Sequence, residues 1–344
     1  MEMCSPMRIV VMPLTVNEIF SISQKYSAIS TVIIFVLAII GNTINILVFT
    51  SFKAFRNNQC ALYLIVEALA NLFQLTIYFF IYLFVLTHGQ DSGASSIIWC
   101  KLRASFIVIC TLVAFSSICF CTIDQYLSTS HRYFFRQLST IKLAYILLTA
   151  AFVFALLQSI PFAVFSEIQG SFCTVFNPFM TAYISSFYYP ILSGLLPVMI
   201  TSIFSLLAYR NVRQIVRRQV PIVRRRLDQQ LTAMVLVRVI ALVILSVPYI
   251  SQRMVVFITK VNPTNLILYA IISLVGSFTS SFFYLNCAIS FYLFVTVSRR
   301  FRRQVKYVML KKFCRQWRRW CCRGDNQVNP MRNTRSTELS GDIE

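Results

Sequence analysis

The stretch CTIDQYLSTS, Cys121 to Ser130, ends a long apolar run by setting an acid, an amide and a tyrosine side by side. The run itself, Cys100–Tyr126, is long enough to cross hydrocarbon, which takes roughly 20 mostly apolar residues per helix. On either side of it six more segments pass the same test: Ser27–Phe52, Ala61–Val85, Lys142–Phe165, Tyr183–Tyr209, Leu231–Ile258 and Asn265–Val297. A chain of 344 residues that is 57% hydrophobic and 12% charged, with mean hydropathy +0.69, carries more apolar surface than a soluble core can hide. Backbone amides inside lipid must pair within their own segment, so an all-α membrane protein, a bundle of seven spanning helices, is expected. Pro161, Pro197 and Pro248 interrupt three segments and raise counts of six or eight, but membrane helices tolerate such prolines. The opening MRIVVMPL is too short and too poorly flanked for a cleaved signal peptide, which leaves the first helix to direct insertion.

Basic residues set the expected orientation. Lys53 and Arg56 fall in the first loop, Arg132, Arg136 and Lys142 in the third, and Arg210, Arg213, Arg217, Arg218 and Arg224 to Arg226 in the fifth, with a denser run after Val297. The alternate loops carry chiefly Asp91, Glu167 and Lys260. By the positive-inside rule the N-terminus is extracellular and the tail cytoplasmic. A net charge of +21 also fits nucleic acid, but most of it lies beside spans, where anionic lipid headgroups attract it, so membrane lipids are the expected partner. Of the 11 cysteines, Cys4, Cys100 and Cys173 fall at or beyond the outer face, where an oxidising compartment permits disulfides. A Cys100–Cys173 bond would pin the loop between helices four and five over the bundle, and two free thiols are the alternative.

This layout resembles the rhodopsin-like G protein-coupled receptors over roughly residues 27–303. Gly41-Asn42 is similar to the family's first-helix pair, Cys100 and Cys173 to its disulfide, and Asp124-Gln125-Tyr126 falls where the third-helix signature Asp-Arg-Tyr ends. Pro197 and Pro248 match the prolines of helices five and six, and SRRFRRQV resembles the start of the amphipathic helix along the inner leaflet. The resemblance implies an extracellular segment 1–26, a receptor domain 27–297 and a cytoplasmic part 298–344, in the plasma membrane. It also implies an extracellular ligand and a heterotrimeric G protein as partners, with no cofactor.

Departures from the family pattern are many. Asn71 takes the place of the second-helix aspartate, Ser246 that of the sixth-helix tryptophan and Ser205 that of an inward tyrosine. Ser290-Phe291 and Phe294 stand where Asn-Pro and a later tyrosine belong. A sodium ion held by the second-helix carboxylate is put in doubt, since Asn71, Ala114 and Ser290 are weak or absent ligands for a hard cation.

Charges inside the spans are expensive and ask for partners. Glu67 lies one turn before Asn71 on the same face of helix two, and Arg238 lies in the inner half of helix six. A Glu67–Arg238 ion pair bridging the two helices is expected; the alternative has Arg238 reaching the interface and Glu67 protonated or hydrogen-bonded locally. In the family the signature arginine often meets an acid at the foot of helix six. Asp228 supplies that acid here, and Gln125 offers it an amide unless it simply faces the cytoplasm.

Helical spacing places Arg103, Ile107 and Thr111 down one face of helix three, with Tyr249 and Arg253 from helix six and Tyr284 from helix seven flanking the same space. Ile107 stands where amine receptors carry an aspartate, and no lysine occurs between Lys260 and Lys306 to hold retinal. Arginines facing such a space suit a ligand with acidic or carbonyl groups, a peptide being the simplest, although Arg103 and Arg253 also suit interfacial anchoring.

At the other face, Phe301, Val305, Met309, Phe313 and Trp317 recur at four-residue steps among basic residues, a pattern for the headgroup layer or for calmodulin. Cys314, Cys321 and Cys322 are candidates for acylation, and residues 326–344 lack an apolar pattern. No metal-ligand cluster, nucleophile–base arrangement or phosphate-binding loop marks an enzyme, and His88 and His131 sit in loops on opposite sides. A transporter or channel is the competing class, though the halves show none of the self-similarity many transporters carry. A receptor-shaped chain that no longer signals is the third.

Overall fold

The computed structural model describes residues 15–52, 55, 58–88, 96–169, 172–215, 222–259 and 266–321, apart from the side chains of 172, 215, 222–228, 259 and 311–321. Among these residues, seven helices are long and apolar enough to span a membrane. The first, α1 (Val16–Ser51), begins well before Ser27, where the apolar pattern starts. Its start is fixed by a capping box: Thr15 Oγ1 accepts from the Glu18 amide while the Glu18 carboxylate accepts from the Thr15 amide at 2.7 Å. Next come α2 (Gln59–His88) and α3 (Ile97–Thr129), a short α4 (Tyr133–Leu138), and α5 (Ile141–Phe165), capped by Thr140.

An antiparallel hairpin follows, β1 (Ser166–Gln169) with β2 (Phe172–Val175), Cys173 opposite Ile168. Cys173 is disulfide-bonded to Cys100 in the first turn of α3, with Cα atoms 5.8 Å apart, so the hairpin is fastened across one end of the bundle. The fifth span is composite: α6 (Pro178–Tyr183), a π-helical stretch Ile184–Leu195, and α7 (Leu196–Ile215). Pro190, inside the π-helical stretch, and Pro197, just after it, each withhold an amide from the helical ladder. In α5 and in α8 (Ile222–Thr259) the internal Pro161 and Pro248 do not divide the helix.

The last span departs from the single segment expected over 265–297. It comprises α9 (Leu266–Ala288) and α10 (Ser290–Val297), meeting at Ile289, where the chain leaves regular helix while Leu293 N still reaches Ile289 O at 3.1 Å. α11 (Arg299–Cys321) then turns away at Ser298, whose hydroxyl accepts from the Phe301 amide. Its inward face is Phe301, Gln304, Val305 and Val308, with Met309 46% exposed. The four-residue stripe expected from the sequence drifts because each such step overshoots a 3.6-residue turn by about 40°.

α3 runs through the middle, packed on α2, α5 and α7, while α1 lies against α2 and α9. Gly41 permits that last approach, since a Cβ there would sit 3.1 Å from the Tyr292 ring and 3.2 Å from the Ala288 carbonyl. The outward faces are apolar, as with Ile29, Ile146 and Ile244, each 63% exposed, which is what a lipid-facing surface requires.

Candidate functional site

At the hairpin end the bundle opens into a cavity of about 610 Å³. Arg103, Ile107 and Thr111 from α3, Tyr249 and Arg253 from α8 and Tyr284 from α9 all line it, so six residues spread over 181 positions meet at one place (284 − 103). Each position follows from helical spacing on an inward face. The sequence did not single out the π-helical wall, Tyr188 and Tyr189, because a π stretch shifts the phase of every side chain along it.

Arg253 is the chemical centre of this cavity. Its guanidinium lies 5.3 Å from the ring centroid of Tyr189 and 5.1 Å from that of Tyr249, two cation–π contacts with rings whose own centroids are 6.0 Å apart. Its Nε is closed to solvent and makes no hydrogen bond among the described residues, and no carboxylate there forms an ion pair with it. Arg103, 7% exposed, reaches the Cys173 carbonyl at 3.5 Å and so ties the disulfide loop to α3. Arg253 and Tyr284 also border a second chamber of about 320 Å³ between α1, α2 and α9, lined by Ser27, Ser30, Thr31, Ser273 and Ser277.

Below the cavity a polar path runs toward the basic end. Glu67 and Arg238, both 2% exposed, meet: Arg238 Nη2 and Nε donate to Glu67 Oε1 at 2.7 and 3.0 Å. Arg238 Nη1 donates to Asn286 Oδ1 at 2.6 Å, binding α9 into the same network. Asn286 escaped the sequence reading, although an amide in the middle of an apolar span is itself a signal. The enclosed space bounded by Glu67, Asn71, Arg238 and Asn286 is about 10 Å³, too small for a hydrated cation, and the guanidinium supplies the positive charge there. Asn71 Nδ2 is buried without a partner among the described residues. Asn42 Nδ2 donates to Ala38 O and Cys287 O, joining α1 to α9, and Asn45 Nδ2 reaches Ser290 Oγ at 3.3 Å.

At the basic end Gln125 is 2% exposed and turned into the bundle, in place of the cytoplasm-facing alternative. Its Oε1 accepts from Thr232 Oγ1 of α8 at 2.9 Å. The expected partner was Asp228; its side chain lies outside the described residues, and Thr232 is one turn further along the same helix face. Asp124 accepts from Ser139 Oγ at 2.6 Å, and Tyr126 packs against Phe135 and Phe204. Phe294 lies in an aromatic group with Phe49 and Phe301. His131 is hydrogen-bonded to Gln214, and His88 to Thr87. The acylation candidates Cys314 and Cys321, by their side chains, and Cys322 and residues 326–344 entirely, lie outside the described residues.

Comparison with protein families matches residues 41–299 to the family described as 7 transmembrane receptor (rhodopsin family). A search of curated proteins finds no match.

Proposed function

The chain belongs to the rhodopsin family of seven-transmembrane receptors, and from that premise we propose that it transmits binding of an extracellular ligand to a heterotrimeric G protein across the plasma membrane. In this reading the hairpin end faces outward and the basic end, with Gln125 and α11, faces the cytoplasm, as the distribution of Lys and Arg favours. The ligand is an acid-bearing molecule, a peptide with a carboxylate being the simplest.

One observation carries the ligand chemistry: Arg253 faces the cavity as a cation that contacts two tyrosine rings and, among the described residues, is ion-paired with no carboxylate. Its Nε has no hydrogen-bond partner among the described residues, and a guanidinium with a donor to spare suits a carboxylate. Cys173, Thr174 and Val175 of the disulfide-fastened hairpin line the same cavity, with Arg103 tied to them. Supporting the transmission step, the Glu67–Arg238–Asn286 network and the Gln125–Thr232 contact join α2, α3, α8 and α9 in one resting arrangement, which differential ligand binding can shift.

The test is nucleotide exchange on added G proteins by the purified chain in vesicles, with and without a library of acid-terminated peptides, alongside solute flux. Peptide-stimulated exchange that is lost in Arg253→Ala supports the reading. Flux without exchange overturns it in favour of a transporter.

A further inference from the structure

Two cysteines that no part of the proposed signalling uses face each other between α2 and α3. Cys60 and Cys121 are each fully buried, their sulfurs are in contact and their Cα atoms are 4.8 Å apart, inside the range a disulfide needs. Cys121 Sγ also lies 3.7 Å from the Cys60 carbonyl, so the reduced thiol has an acceptor as well. The Cα spacing is in the range of a disulfide, and the contact with the carbonyl suits the reduced thiol. Three other buried cysteines, Cys110, Cys119 and Cys287, have no cysteine partner among the described residues.

Position gives the pair its consequence. Cys121 precedes Gln125 by one turn on the same face of α3, and Cys60 lies two turns before Glu67 on α2. A bond between them would fasten α2 to α3 between the Glu67–Arg238 pair and the Gln125–Thr232 contact.

We propose that Cys60 and Cys121 form a reversible dithiol–disulfide site for a cytosolic peroxide. It rests on the orientation proposed above, in which this end of the bundle meets a reducing compartment that keeps the thiols reduced. Cys60 is the second residue of α2, next to the partly exposed Gln59, and the helix N-terminus favours the thiolate. The thiolate of Cys60 attacks one peroxide oxygen, giving a sulfenic acid and, after protonation, one water. The sulfur of Cys121 then attacks the Cys60 sulfur and displaces its hydroxyl, which leaves as a second water with the Cys121 proton. Both sulfurs are oxidised, peroxide is reduced by two electrons, and a cytosolic thiol reverses the step by exchange.

The full chain in native vesicles is treated with hydrogen peroxide or dithiothreitol, alkylated after unfolding, digested without reduction and read by mass spectrometry. The expected result is a Cys60–Cys121 cross-linked peptide, two hydrogens lighter than the thiol pair, that becomes the major species with peroxide and disappears with dithiothreitol. Cys110, Cys119 and Cys287 stay alkylated throughout. A cross-link already complete in reduced vesicles, or none after peroxide, overturns the proposal. Cys60→Ser must abolish the cross-link and also any peroxide-induced change in basal nucleotide exchange; a change that survives it overturns the regulatory part. Mass spectrometry needs neither ligand nor G protein, so failure here is separable from failure of the receptor reading.

Discussion

Arg238 and Glu67 form a buried ion pair between α8 and α2, with two donors of the guanidinium converging on one carboxylate oxygen at 2.7 and 3.0 Å. Asn286 takes a third donor from the other side, so the cation is held by two neighbouring helices at once. Such a pair is weak grounds for stability, since desolvating both charges offsets most of their attraction, but breaking it from one side strands a charge.

Glu67→Ala or Arg238→Ala is therefore expected to cost about 3–5 kcal/mol, whereas the double Glu67→Leu, Arg238→Met variant is near neutral or more stable. Unfolding midpoints of the detergent-solubilised protein separate the two outcomes. A single variant as stable as the parent would show that the pair contributes nothing to the resting arrangement.

Thr232→Val leaves the buried Gln125 carbonyl oxygen without its donor and loosens α3 from α8. Basal nucleotide exchange is expected to rise about fivefold, the ratio that corresponds to about 1 kcal/mol off the resting state. Gln125→Arg places a cation beside Asp124 in a site 2% exposed, and basal exchange should change there too. Unchanged basal and evoked exchange in both variants would make Gln125 a bystander.

Arg253→Met removes a cation that contacts Tyr189 and Tyr249 and that, among the described residues, no carboxylate pairs with. The ligand-free protein is expected to unfold at the same or higher temperature, because a desolvated charge is exchanged for a side chain of similar length, while the response to acid-terminated peptides disappears. Loss of stability with the response intact would assign Arg253 to structure alone.

Cys100→Ser releases the hairpin from α3 and is expected to cost about 2–5 kcal/mol, read as lower surface expression and a lower unfolding midpoint. Cys173→Ser should match it, and the double variant should be no worse than either. Additive losses would mean the two cysteines act separately.

Much of this was legible in the residues. Seven spans follow from run length and hydropathy, because hydrocarbon thickness and backbone pairing leave a chain of this composition little choice. The six cavity residues and the meeting of Glu67 with Arg238 follow from helical phase and from the high cost of a lone charge in lipid. Thr232 was missed because the sequence offers every polar residue at the foot of α8 as a partner, with Asp228 the more conspicuous for its charge.

Span number, inward faces and the demand for charge pairing are local properties of the chain, set by periodicity and by transfer from water to lipid, and the sequence by itself determined them. Partner choice was decided only in the tertiary structure. The phase shift of the π stretch turned Tyr188 and Tyr189 into the cavity, and the break at Ile289 ended α9 just below Asn286. The spacing of α2 and α3 brought Cys60 to Cys121 across 61 residues. Each depends on how far one helix is rotated and shifted against another, a quantity that no single helix encodes because it is fixed by the packing of all seven.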